Sequence, residues 1–426
     1  MIFIIIIIAL FLLAFGFEMF VVLGLPAIMV KESFFSSIPD PVLIQKMVGG
    51  INHTTLLAIP FFIIAAEVMS SGEIARRLTN FIKACFGHRT GGLGHTTIGS
   101  AMAFGSVSGS AAATVAAIGK LMYPDLREIG YREKFSLGLI VSSAETAILI
   151  PPSITMIIYG WMTGTSITAL FAGGLAVGIV LGLAFGLLVT FESKRYNVGV
   201  GPRLSKGEFW IKFKEAGWAL GMPIIILGGI YSGFFTATEA AAVSVIYALI
   251  VESVVYRNLN WTRLFLIIER GAISSTVIFI LLAMGSVLSF FVTIVQLPDL
   301  LKDFLVSIDA GMFTFLLAVN IAFFIAGMFI DPNSALLILV PPLFPVAMSL
   351  GIDPIHFGLI VTLNIGIGMI TPPFGLDIFV ASSTLEKPVL TIISGVWPFL
   401  FVNICVLMIV TYIPDLSTFL PNLIYK

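Results

Sequence analysis

The sequence predicts an all-α polytopic membrane protein of two inverted-topology repeats, with two re-entrant helical hairpins and two proline-broken helices. Three observations lead there. Of 426 residues, 58% are hydrophobic and only 11% charged, with mean hydropathy +1.10; a chain this apolar faces lipid. One long passage occurs twice. Residues 104–160 run from Phe104-Gly-Ser-Val-Ser-Gly-Ser110 through Gly138-Leu-Ile-Val141 to Ile150-Pro-Pro-Ser153. Residues 326–381 run from Ala326-Gly-Met-Phe-Ile-Asp-Pro-Asn-Ser334 through Gly358-Leu-Ile-Val361 to Thr371-Pro-Pro-Phe374. The Gly-Leu-Ile-Val blocks lie 220 residues apart and the proline pairs 221, so one single-residue indel reconciles them. Finally, each copy places a polar break and then a double proline inside apolar sequence. Paired broken segments in two halves of a membrane protein point to the binding site of a secondary transporter.

The elements follow in order. The run at 2–15 lacks the basic leader and small-residue cleavage site of a signal peptide, so it reads as a first membrane segment retained in the mature protein. Further apolar runs at 170–190, 219–232, 272–295, 312–330 and 389–412 are span candidates. Basic residues cluster: Arg76, Arg77, Lys83 and Arg89; Lys120, Arg127, Arg132 and Lys134; Lys194, Arg195, Arg203, Lys206, Lys212 and Lys214; Arg257, Arg263 and Arg270; and Lys387. Only Lys31, Lys46, Lys302 and Lys426 remain for the other side. The positive-inside rule puts the clusters in the cytoplasm. Spans at 135–163, 168–191, 218–232, 236–256 and 270–296 then separate the two Gly-Leu-Ile-Val helices by an odd number of crossings, which inverts one copy relative to the other. The repeat extends weakly upstream, where 61–78 resembles 280–288 followed by 297–304. Residues 193–217 are polar and basic, with Phe209, Trp210 and Phe213 at helical spacing; they read as a connector helix on the cytoplasmic membrane surface, with a plain loop as the alternative.

The breaks carry the chemistry. Around Gly105, Ser106, Ser108, Gly109 and Ser110 the chain must turn within apolar sequence, because Arg89 and Lys120 flank the element. About 15 residues per arm, or roughly 22 Å of helix, suits a hairpin dipping to mid-membrane. Backbone that is not helical at that depth must be buried or line a wet cavity. Residues 311–350 form the second hairpin by the same logic, with Gly327 before its tip and Asp331, Asn333 and Ser334 at it. Pro332 suits the first turn of the returning helix. Pro151 with Pro152, and Pro372 with Pro373, interrupt helices 135–149 and 355–370, which resume after Ser153 and Phe374. The unwound carbonyls suit sodium, and the resuming half-helices aim positive dipole ends at an anion. Glu145, Gly366 and Thr371 sit in or beside these broken stretches.

These residues resemble a known family. The match rests on Gly105-Ser-Val-Ser-Gly-Ser-Ala-Ala-Ala-Thr-Val115, Ile150-Pro-Pro-Ser153, Gly228-Gly-Ile-Tyr-Ser-Gly-Phe-Phe-Thr-Ala-Thr-Glu-Ala-Ala-Ala242 and Pro372-Pro-Phe-Gly-Leu376. The chain resembles, along essentially its whole length, the DctM-type (SiaM-like) large membrane subunit of tripartite ATP-independent periplasmic (TRAP) transporters, within the ion-transporter superfamily. The resemblance implies an elevator-type carrier in the bacterial inner membrane. It implies a small four-helix membrane subunit (not fused to this chain) and a periplasmic binding protein that delivers an organic acid, such as a C4-dicarboxylate or sialic acid. It further implies sodium as the coupling ion, with no cofactor. Residues 90–192 and 311–426 would form the moving transport domain, and 1–89 and 205–310 the scaffold. A stand-alone sodium-coupled carboxylate carrier of the same superfamily is the alternative.

No lysine or arginine falls at a predicted tip or break. An anionic solute there must be balanced by helix N-termini and bound cations. Glu145 and Asp331 are site candidates, with a packing hydrogen bond or a protonated structural carboxyl as the alternative. Glu239, after Thr236, fits a helix cap. Glu18 and Glu67 are structural or face a partner subunit. His53, His88, His95 and His356 share no metal spacing, and Cys85 and Cys405 fit no metal or disulfide pattern. Enzyme readings fail on the residues: a serine elbow would need serine at Val107, Gly375-Leu-Asp377 lacks a second aspartate motif, and no Walker A sequence occurs. No basic stripe is present to bind nucleic acid.

Overall fold

The computed structural model describes residues 2–201 and 205–425; Arg203 and Lys426, counted among the charges above, lie outside the described residues. Every regular element among them is helical. The chain opens with α1 (Ile2–Ala14), α2 (Met19–Phe34) and α3 (Asp40–Ile51). With 13 residues, α1 is shorter than the roughly 20 a crossing needs. The expected first span at 2–15 is therefore not one by itself, because Gly16, at φ +73°, ends the helix just after it. A 3₁₀ turn then leads into α4 (Ala58–Ser71), bent 58° from α3. The amphipathic α5 (Ile74–Phe86) follows.

The first hairpin is α6 (Gly92–Ser108) and α7 (Ala111–Glu128). Its arms of 17 and 18 residues exceed the expected length, because helix continues to within two residues of the turn on both sides. α8 (Glu133–Ala144) runs into a 3₁₀ turn at Glu145–Ile148, breaks at the prolines, and resumes as α9 (Ile154–Thr163). The long α10 (Ile167–Arg195) returns, and Arg132 pairs with Glu192 near its end.

Residues 206–217 do not form a separate surface helix. They are the first half of α11 (Lys206–Tyr231), which continues unbroken through the expected span. Nothing in Ala216-Gly217-Trp218 stops a helix, and Pro223 is accommodated inside it. Phe209 and Phe213 instead pack on Phe81 of α5, at 6.0 and 5.6 Å between ring centres. α12 (Ala237–Ile250) ends in a π turn at Val251–Val255, where Glu252 Oε1 accepts the Ile74 N–H of α5 at 3.1 Å. α13 (Trp261–Ile294) packs on α2, α3 and α4, and α14 (Leu297–Ser307) follows it.

The second hairpin is α15 (Met312–Phe329) and α16 (Pro332–Ser349). The second broken helix is α17 (Pro354–Met369), resuming as α18 (Leu376–Leu385). Both Pro-Pro peptide bonds are cis. α19 (Val389–Tyr412) lies along α8, and α20 (Asp415–Tyr425) is tied to α17 by His356, which bonds Ser417 and the Thr411 carbonyl. Seven helices among the described residues are long and apolar enough to cross a membrane, or eight counting the bent α3–α4 pair.

Each hairpin packs on its own broken helix through a bare backbone contact. A Cβ on Gly105 would lie 2.6 Å from the Ala147 Cα, and a Cβ on Gly368 would lie 2.5 Å from the Gly327 Cα. Ala147 and Gly368 are 221 residues apart, the spacing of the proline pairs. Gly368→Ala is therefore expected to cost about 1–3 kcal/mol through overpacking. Gly228→Ala, with nothing within 4 Å of the new methyl, should stay within about 0.5 kcal/mol. Thermal unfolding of the purified variants checks the contrast, and equal melting of the two would contradict the packing.

Candidate solute site at the hairpin tips

Local chemistry fixes where each helix starts. Gly109 takes φ +58°, and a Cβ there would meet the Pro152 carbonyl oxygen at 2.4 Å, so the first tip turns against the first proline break. Ser110 then caps α7 by accepting the Ala113 N–H at 3.3 Å. Ser108 Oγ lies 3.2 Å from Thr114 Oγ1, which itself donates to the Ser110 carbonyl at 2.8 Å. At the second tip Asp331 Oδ2 accepts the N–H groups of Asn333 and Ser334 at 3.1 and 3.2 Å, Ser334 Oγ donates to Asp331 Oδ1, and Pro332 occupies the first turn. At the breaks Ser153 caps α9 by accepting the Met156 N–H at 3.4 Å, and Thr371 Oγ1 donates to the Ile367 carbonyl at 2.6 Å.

A cavity of about 260 Å³ brings these elements together. Its wall contains Ala111, Pro332, Ile154 and Leu376, the first residues of α7, α16, α9 and α18. Four helix N-termini thus converge on one space. Such ends carry unpaired N–H groups and partial positive charge, the standard setting for an anion. No lysine or arginine lines the space among the described residues, and its charged side chains are Glu67 and Asp331. A larger cavity, about 560 Å³, lies between α5, α7 and α11 beside Lys83 and Asp125 and contains none of the tip residues.

Of the residues singled out from sequence, Ser108, Gly109, Ser110, Asp331 and Asn333 line the tip cavity. The others stand behind it. Gly105 and Gly327 make the backbone contacts described above, and Gly366 closes on Ile148. Ser106 donates to the Ala103 carbonyl at 2.7 Å. Pro151, Pro152, Ser153, Ser334, Thr371 and Pro372 shape the breaks and caps. Glu145 is buried and accepts a bond from Asn403 Nδ2 at 3.0 Å. Glu239 forms a capping box with Thr236. Missing from that reading were Thr155 as a wall residue, Ile63 with Glu67 of α4, and Ser274 with Ile278 of α13. Thr155 had a signal, two residues past the Ser153 cap. The α4 and α13 residues reach the site through tertiary packing.

The family model for the tripartite ATP-independent periplasmic transporter, DctM component, matches residues 5–416. The chain belongs to this family. It is 38% identical over 416 residues to the ectoine TRAP transporter large permease protein TeaC of Halomonas elongata, covering 97% of each chain. To the C4-dicarboxylate TRAP transporter large permease protein DctM of Pseudomonas aeruginosa it is 40% identical over 387 residues, covering 90% of each. In fold it is similar to the YdaH transporter of Alcanivorax borkumensis, with TM-score 0.61 at 15% identity, covering 90% of this chain and 87% of that one. The DctM-type chain is therefore a transporter permease subunit and not an enzyme, and it is a multi-pass protein of the inner membrane. Large permease subunits of this family work with a small membrane subunit and a periplasmic binding protein.

Asp331 separates two roles at the second tip. Asp331→Asn retains a good N-cap and should leave stability within about 0.5 kcal/mol, whereas Asp331→Leu should cost about 1 kcal/mol. Melting of the purified variants checks this, and identical losses would show that the cap is not what Asp331 contributes.

Proposed function

We propose that this permease imports a small organic acid along a sodium gradient, receiving it from a periplasmic binding protein and working beside a small four-helix membrane subunit. The convergence of four helix N-termini on the tip cavity carries this reading. A carboxylate near the membrane centre costs about 2.5–3.5 kcal/mol on insertion scales. One helix end returns at most about 2 kcal/mol in a partly buried geometry. A single N-terminus is not enough, whereas two or more offset the cost without a basic side chain.

Sodium fits the oxygen-only chemistry of the breaks. Ser108, the Ser110 carbonyl and Thr114 cluster at one tip, and Thr371 with the Ile367 carbonyl at the other break. Hard oxygen donors suit a hard cation, which brings positive charge next to a carboxylate. In this reading the two halves are inverted repeats. Residues 90–192 and 311–426 carry the solute in an elevator motion against a scaffold of 1–89 and 205–310.

The wall charges favour a second, narrower reading. Glu67 and Asp331 disfavour a dianion such as a C4-dicarboxylate. They suit an acid that carries its own cationic group, as ectoine does in pairing one carboxylate with a protonated amidine; that solute is named for the TeaC relative.

Uptake into proteoliposomes holding the complete system tests both. Replacing sodium by choline should abolish uptake, and alanine at Ser108, Ser110, Asn333 or Thr371 should each lower it about tenfold or raise the sodium requirement. Undiminished uptake without sodium on either side contradicts the coupling. Wild-type behaviour of all four variants contradicts the site. A zwitterionic acid should compete for uptake where a dicarboxylate does not, and the reverse removes the narrower reading. Full uptake by this chain without either partner would instead favour the stand-alone carrier.

A further inference from the structure

The larger cavity, about 560 Å³, lies along the boundary between the scaffold and the transport domain proposed above. One wall is α5, which is fastened to the scaffold. Its Ile74 N–H donates to Glu252 of the π turn at 3.1 Å, and Arg77 Nη1 donates to the Glu215 carbonyl of α11 at 3.5 Å. The Arg77 guanidinium lies 4.2 Å from the ring centre of Tyr256, and Phe81 packs on Phe209 and Phe213. The facing wall is the last part of α7, with Asp125, Glu128 and the adjoining Ile129.

Two ties join these walls. Lys83 Nζ of α5 pairs with Asp125 Oδ2 of α7. The segment that leaves α10 also bonds both helix ends through its backbone. There the Gly199 N–H donates to the Ile129 carbonyl at 3.1 Å, and the Gly201 N–H donates to the Gly87 carbonyl at 3.0 Å. Lys212, the other lysine of the cavity, turns instead to Glu215 of its own helix. Among the described residues, Lys83–Asp125 is the one ion pair that crosses from scaffold to transport domain. Every other pair stays within one of the two.

We propose that Lys83 and Asp125 form a latch that favours the conformation seen here and opens whenever the transport domain moves. A movement that carries α7 past the fixed α5 must part the two side chains. The strength of the pair suits a latch and not a lock. Its side chains are 43% and 31% exposed, and an ion pair so open to water shifts an equilibrium by about fivefold at most. That is enough to set which conformation the empty carrier prefers and too little to stop the cycle. The latch rests on the elevator reading above and on no choice of solute or coupling ion.

Distances between two spin labels on the purified full-length protein test it, with no solute needed. Cys85 and Cys405 are replaced by serine, and the labels are attached at Lys120→Cys of α7 and Lys214→Cys of α11, both exposed positions. The protein with the pair intact should show mainly one distance. Asp125→Ala should raise a second, displaced population about two- to fivefold. Exchanging the charges, Lys83→Asp with Asp125→Lys, should bring that population back down. High salt should act on the intact pair as Asp125→Ala does and leave that variant unchanged; this arm needs no variant of the pair to fold. A second population of equal size with and without the pair, and indifferent to salt, keeps the movement and overturns the latch. One unchanging distance in every sample overturns the latch and contradicts the elevator reading as well.

Discussion

The structure depends on four interrupted helices whose restarting ends meet at one cavity. A continuous helix hides its backbone polarity and offers nothing to a charged solute in an apolar medium. Each interruption exposes N–H groups. Two hairpin turns and two double prolines place four such ends around about 260 Å³. In the proposed reading, that arrangement takes the place of the basic side chains that a carboxylate site in water would use.

Exposed backbone is costly away from water, and the chain answers each case locally. Ser110, Ser153 and Asp331 accept the first N–H groups of α7, α9 and α16. Thr371 returns a hydrogen to the Ile367 carbonyl at the end of α17. The hairpins are pressed onto the broken helices where small residues allow it, Gly105 on Ala147 and Gly327 on Gly368. Packing, capping and charge therefore act on the same few residues, so that changes there affect stability and site together.

The tips and breaks were legible because glycine, serine, asparagine and proline stand out within apolar sequence, and because they stand out twice. Restart points followed from Ser153, Phe374 and the Asp331-Pro332 pair, because the double prolines and Pro332 act locally. Other features needed the fold. Glu67 and Ser274 reach the cavity through the packing of α4 and α13, which no spacing along the chain encodes. Asp377 read only as part of a motif that lacks a second aspartate, and its complete burial is a property of how α18 packs on α7 and α19. The basic stretch before residue 217 read as a separate surface helix because its polarity changes there. Helix continuity follows backbone breakers and not polarity, and none interrupts α11 at that point. The bounds of α1 matched the apolar run at 2–15; the reading as a span failed on length alone, since the helix has 13 residues and a crossing needs roughly 20.

The most direct measurement is a structure of the assembled carrier with its transported solute bound. The account predicts a carboxylate in the tip cavity, within hydrogen-bonding distance of backbone N–H groups at the start of α7 or α16, with no lysine or arginine touching it. A carboxylate held by a basic side chain, or bound away from both hairpin tips, would contradict it.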